Sequence, residues 1–250
     1  MATQRYLSNA PITEALVDVR VKLPANVDVE SLALIGDFVR ERYSAKRKEL
    51  RGFEARFEVH EEQLPQTTTI DRGVVGYLYR SADEKQVLQV RQDGFTYSKL
   101  RPYKNWEDLR DEARRLWKFY VDVAKPETIT RVALRYINHL TGIPTPIHDY
   151  SEHLKTPPVI TANLNQGNIR SFLTRVVVSE PNSGATAIVT QALESAESAI
   201  TTIILDIDVF KESNFDVNGQ EVWEALGSLR DLKNQIFFDS ITDRTARLYE

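Results

Sequence analysis

The 250-residue sequence contains no cysteine and only one methionine. The first absence removes disulfides, thiolate nucleophiles and thiolate zinc sites together. Long apolar runs are also missing, since no window approaches the roughly 20 residues that cross a bilayer as a helix. The stretch Met1-Ala2-Thr3-Gln4-Arg5-Tyr6-Leu7 lacks the apolar core of a signal peptide. A cytoplasmic protein without a membrane partner is the expectation. Glycine is sparse, at ten residues. It builds no phosphate loop, no dinucleotide fingerprint and no Gly-x-Ser-x-Gly elbow, so neither a catalytic signature nor a cofactor is expected. The formal net charge of −4 argues against bulk attraction to nucleic acid, while leaving room for a local basic face.

What the chain does contain is an internal echo. Trp106-Glu107-Asp108-Leu109 recurs as Trp223-Glu224-Ala225-Leu226, a shift of 117 positions. At that shift Val87-Leu88-Gln89-Val90-Arg91 falls on Ile204-Leu205-Asp206-Ile207-Asp208, and Ala15-Leu16-Val17-Asp18-Val19 falls on Val132-Ala133-Leu134-Arg135-Tyr136. Segments that share one offset are what a duplicated unit leaves behind when identity has decayed but pattern has not.

Period-two alternation predicts strands over about 14–23, 54–61, 74–80 and 86–98 in the first half, and over about 130–140, 170–179, 185–194 and 200–211 in the second. Apolar residues at helical spacing predict helices over about 29–49, 106–123 and 221–238, with a short tail helix from Thr242. Asn105 is a natural N-cap for the second helix, and Pro126 stops it. The expected fold is α+β. Two β-α-β-β-β-α units, residues 10–125 and 126–240, form a largely antiparallel sheet backed by helices in a saddle-like pseudo-twofold arrangement. Residues 141–168 break the equivalence, because Pro144, Pro146, Pro157 and Pro158 replace the long helix by an excursion. By order of elements alone the layout resembles a saddle of the TATA-binding-protein type.

Three stretches carry a more specific resemblance. Leu7-Ser8-Asn9-Ala10-Pro11-Ile12-Thr13-Glu14-Ala15, Arg131-Val132-Ala133-Leu134-Arg135-Tyr136-Ile137-Asn138 and Leu229-Arg230-Asp231-Leu232-Lys233-Asn234-Gln235-Ile236-Phe237-Phe238 look like the marks of a sporadically distributed prokaryotic family of uncharacterised proteins of about this length. That resemblance implies no activity, cofactor or site residue. A patchy distribution fits an accessory role in a defence or mobile-element system.

Alternation places Asp18, Arg20, Arg91, Arg135, His139, Asp206 and Asp208 on the side of the sheet away from its apolar face. Opposite charges on several strands make either a solvated surface of cross-strand pairs or a concave polar surface that grips a partner. Tyr150 and His153 of the excursion are expected beside Arg135 and His139. Arg40, Arg42, Lys46, Arg47, Lys48 and Arg51 crowd the end of the first predicted helix. There the macrodipole favours cations, and phosphate contact is the alternative use. His148, Asp149 and His153 are metal-ligand types, but a histidine spacing of five does not match a helical pair and no third ligand is evident, so no metal is expected. Trp106 and Trp223 are expected to anchor their helices on the sheet. The leading functional expectation is a module that recognises a protein partner, perhaps its own copy as a homodimer. A nucleic-acid-associated protein and an enzyme of unidentified chemistry are the alternatives.

Overall fold

Strand β1 (Ile12–Lys22) buries Ala15, Val17, Val19 and Val21 on one face and turns Asp18 and Arg20 to the other. This alternation marks a strand covered on one side. The computed structural model describes residues 7–58, 66–144, 147, 149–159, 169–193 and 200–250. Beyond β1 the sheet contains β2 (Lys48–Glu58), β3 (Gln66–Arg80), β4 (Gln86–Arg91), β5 (Gly94–Leu100), β6 (Thr128–Pro144), β7 (Phe172–Glu180), β8 (Ala185–Leu193) and β9 (Ile200–Phe215). These strands form one nine-stranded sheet in the order β2-β3-β4-β5-β1-β6-β9-β8-β7. Every pairing in it is antiparallel. The fold is therefore α+β with a large antiparallel sheet.

Helices α1 (Ile35–Val39), α2 (Trp106–Ala124), α3 (Glu221–Ser240) and α4 (Asp243–Ala246) complete the regular structure. Asn105 caps α2 by accepting a hydrogen bond from the Asp108 N–H at 2.7 Å. Trp106, Leu109, Ala113, Leu116 and Tyr120 then form its buried stripe. Thr242 caps α4 in the same way. α2 packs on β1 and β5, and α3 on β6 and β9. Both tryptophans at the helix starts are buried, Trp106 and Trp223 alike. No helix among the described residues is long and apolar enough to cross a membrane.

The structure corrects the expected elements in two places. Residues 29–49 do not form one helix: a 3-10 turn (Glu30–Leu34) leads into α1, which ends at Val39, and Lys48 already begins β2. Extended pairing of 48–58 with β3 outweighs the weak helical preference of a segment crowded with like charges. Residues 86–98 are likewise two strands. Gln92 and Asp93 form a two-residue hairpin between β4 and β5, and Arg91 pairs with Gly94. Gly94 sits at φ +155°, where an added Cβ would lie 2.3 Å from the Val19 carbonyl oxygen of β1. Only glycine lets β5 approach β1 so closely at this point. Gly94→Ala is accordingly expected to cost about 1–3 kcal/mol, measurable by urea unfolding; an unchanged midpoint would show that β5 can retreat without loss.

The hairpin also alters the internal comparison. β5 is the neighbour of β1 as β9 is of β6. The constant shift sets Val90 in β4 against Ile207 in β9, and these strands do not hold matching places in the sheet order. Ala15 in β1 and Val132 in β6 do lie on the two central, mutually paired strands.

Candidate functional site

Asp18 is the centre of the polar face. It is only 6% exposed, although no helix of the described residues covers that side of β1. Its Oδ1 accepts from Arg20 Nε at 2.9 Å and Arg131 Nη1 at 3.1 Å, and its Oδ2 from Thr96 Oγ1 at 2.7 Å and Arg91 Nη2 at 3.4 Å. Asp93 in the β4–β5 turn binds both Arg20 and Arg91. On the other side, Arg135 makes a two-pronged pair with Asp206, at 2.9 and 2.6 Å. Arg131 approaches Asp208 at 3.5 Å and stacks over Phe210. Burial pushes the Asp208 carboxyl above its ordinary range, against the pull of Arg131 and Arg135.

Four guanidinium groups thus meet four carboxylates across β4 and its turn, β1, β6 and β9, and all four arginines with Asp18 and Asp208 line a concavity of about 440 Å³. Asp18, Arg20, Arg91, Arg135, Asp206 and Asp208 come together as alternation predicts, and His139 lies further along the same face of β6, opposite Ile204. Arg131 was missed, although it stands four residues before Arg135 on the same side of the strand. Each of these four guanidinium groups is paired with a carboxylate, so a phosphate would have to displace an aspartate to reach it.

The described part of the excursion lies elsewhere. Tyr150 donates to the Ile169 carbonyl and packs edge-on against Phe172. His153 is buried against the C-terminal tail, where Thr245 Oγ1 donates to the His153 carbonyl and therefore accepts from Nδ1 at 3.1 Å. Burial and the Arg244 charge hold this imidazole below its usual pKa. Leu154 bridges to Ile241. Tyr150 and His153 consequently do not join Arg135 and His139, because Tyr150 is held by Ile169 and Phe172 and His153 by Thr245 after α3. His148 lies outside the described residues. Among those residues no three His, Asp or Glu side chains are placed to hold a metal ion.

The basic cluster is dispersed by the same correction that shortens the first helix. Arg40 follows α1, Arg42 reaches Glu112 of α2 at 2.8 Å, and Lys46 lies between α1 and β2. Arg47 stacks over Tyr77 at 4.5 Å, while Lys48 and Arg51 belong to β2, the latter paired with Asp71.

A second site went unnoticed in the sequence. Lys233 of α3 is 8% exposed, and its ammonium sits 3.9 Å from the ring centre of Tyr136 in β6. Burial, aided by the Arg230 charge, lowers its pKa from the ordinary 10.5 to about 7. Among the described residues no carboxylate or hydrogen-bond acceptor meets this ammonium. It borders a cavity of about 280 Å³ whose wall includes Ile12, Tyr103, Trp106, Tyr136 and Phe237. Burial drives the Tyr136 hydroxyl far above its usual pKa and the Tyr103 hydroxyl up to about 12. The two hydroxyls lie 3.2 Å apart.

The stretches 7–15, 131–138 and 229–238 converge here. Leu7, Ser8 and Ala10–Ile12 come from the first, Tyr136 and Asn138 from the second, and Arg230, Lys233 and Phe237 from the third. A bulge at Thr13 shapes the first wall: the register shifts between Ile12 and Glu14, and Thr13 donates to the Ile137 carbonyl. Asn138 secures the second by donating to the carbonyls of Tyr136 and Leu205. Comparison with known protein families and with curated proteins finds no match for this chain.

Proposed function

We propose that the protein is a binding module that recognises a protein partner, and that a second copy of the chain docks on the outer edge of β7. The observation behind this reading is the character of that edge. β7 pairs with β8 alone among the described residues. Its exposed side chains include Leu173, Val176, Val177 and Val178, at 73%, 49%, 61% and 50%. Edge strands are ordinarily blunted by charge, proline or a covering element, because their unpaired N–H and C=O groups invite another strand. Here the only charged side chains are Arg175 and the terminal Glu180. Antiparallel self-pairing centred on Val177 sets Val177 against its own copy and Val176 against Val178, with Arg175 facing Ser179, so apolar side chains meet on each face and no like charges are opposed, which favours a second copy as occupant. Sedimentation of the wild type should find a dimer, and Val177→Lys should give a monomer of unchanged thermal stability. A wild type that stays monomeric at tens of micromolar would remove this reading.

The nucleic-acid alternative has less support, since the arginines of the polar face would have to abandon their aspartates to reach phosphates. We further read the two halves as a diverged duplication with a saddle-like pseudo-twofold. In its favour, Val17 and Leu134, partners at the shift of 117, face each other in the β1–β6 ladder, where a twofold between two antiparallel strands would pass.

A further inference from the structure

We propose that the cavity between α3 and the start of α2 is a binding site for a small monocarboxylate with an apolar body, whose carboxylate pairs with the Lys233 ammonium. An unpaired buried ammonium is costly, and packed interiors retain one where something else supplies its counter-charge. The cavity wall provides that setting. Its charged side chains are Lys104, Glu107, Arg230 and Lys233; Arg230 is already paired with Asp231 and Glu107 offsets one lysine charge, so the remaining excess is positive. The hydroxyls of Tyr103 and Tyr136 are hydrogen-bonded to each other. Such a pair uses one of its two protons, and the other is available to a second acceptor. One ammonium and one hydroxyl donor match the two oxygens of a carboxylate, whereas a phosphate dianion has more acceptors than this wall satisfies. Trp106, Ile12 and Phe237 form an apolar remainder suited to a ring or short alkyl chain. The volume of about 280 Å³ limits the ligand to a small molecule.

Charge coupling follows from the same arrangement. A carboxylate beside Lys233 favours the charged amine, so binding takes up a proton above neutral pH. The test is a calorimetric titration of the full chain with acetate, benzoate and octanoate, with benzamide as the neutral counterpart of benzoate and inorganic phosphate as the competing anion. Saturable binding of benzoate or octanoate in the millimolar range or below is expected. Benzamide should bind at least about tenfold more weakly, the loss associated with one charge-assisted contact. Affinity should fall as pH rises from neutrality, because Lys233 then loses its proton. Lys233→Met, which keeps an unbranched apolar stem without the ammonium, should abolish the preference for benzoate over benzamide while leaving the far-ultraviolet dichroism unchanged. Absence of saturation by all three carboxylates, equal binding by Lys233→Met, or tighter binding of phosphate would each overturn the proposal. Trapping of an aldehyde on Lys233 by borohydride in place of carboxylate binding would overturn it as well.

Discussion

Lys233→Met is expected to make the protein more stable at pH 6, by about 2–4 kcal/mol, and the gain should shrink towards zero by about pH 10. The reasoning is linkage. The lysine pKa is about 7 in the folded chain against an ordinary value of 10.5. Between those values the unfolded chain binds a proton that the folded chain does not, so wild-type stability rises with pH across that window. Below neutrality both states carry the proton and the penalty of burying the charge is complete. At about 1.4 kcal/mol per pH unit the gap corresponds to roughly 5 kcal/mol as an upper limit. Methionine also surrenders the ammonium's attraction to the Tyr136 ring, an effect of about 0.5–2 kcal/mol, which lowers the net gain to the stated range. Urea unfolding of both proteins at several pH values measures it. A variant less stable than the wild type at pH 6, or a difference independent of pH, would show that Lys233 is accommodated without strain. A side chain whose removal stabilises the fold is one the fold itself does not require.

The signal for that site was present in the sequence in one form only. Leu226, Leu229, Lys233 and Phe237 are all buried and recur at steps of three and four, so the lysine occupies a position in the apolar stripe of α3 where a leucine would be ordinary. Nothing local reveals that Tyr136, a hundred residues earlier, lies beneath it, because that depends on the packing of α3 over β6. The strands of the second half were legible for the opposite reason: their alternation is local and their bounds follow turns. The β4–β5 hairpin was missed, because its loop residues are Gln92 and Asp93 rather than the Asp93-Gly94 dipeptide, and the continuous apolar alternation of 86–98 masked it. The first helix was misread because Tyr43 fits helical spacing and is buried, yet reaches the core from a turn after α1. On the polar face, residue identities were readable from alternation. Their partners were not, since β5-β1-β6-β9 is an order of strands in space that chain order does not display.

Asp18→Ala is expected to destabilise the protein by about 3 kcal/mol or more, the largest loss for any single substitution on the polar face. Three guanidinium groups converge on this carboxylate, from Arg20, Arg91 and Arg131, and Thr96 donates to it as well. Alanine would leave the arginines repelling one another around a vacancy, and removing one partner of a buried ionic cluster typically costs about 3–5 kcal/mol. The arginine side chains retain 18–33% exposure, so water softens the repulsion and the lower end of that range applies. Asp206→Ala provides the contrast. Its partner Arg135 is 43% exposed and can turn to solvent, so a loss of about 1 kcal/mol or less is expected. Unfolding curves for both variants decide the point, and 1 M salt should narrow the Asp18→Ala deficit by screening the stranded arginines. Equal losses at the two positions would mean that the cluster behaves as an ordinary solvated surface. A large, salt-sensitive loss confined to Asp18 would identify it as the residue that holds β5, β1 and β6 together on the polar side of the sheet.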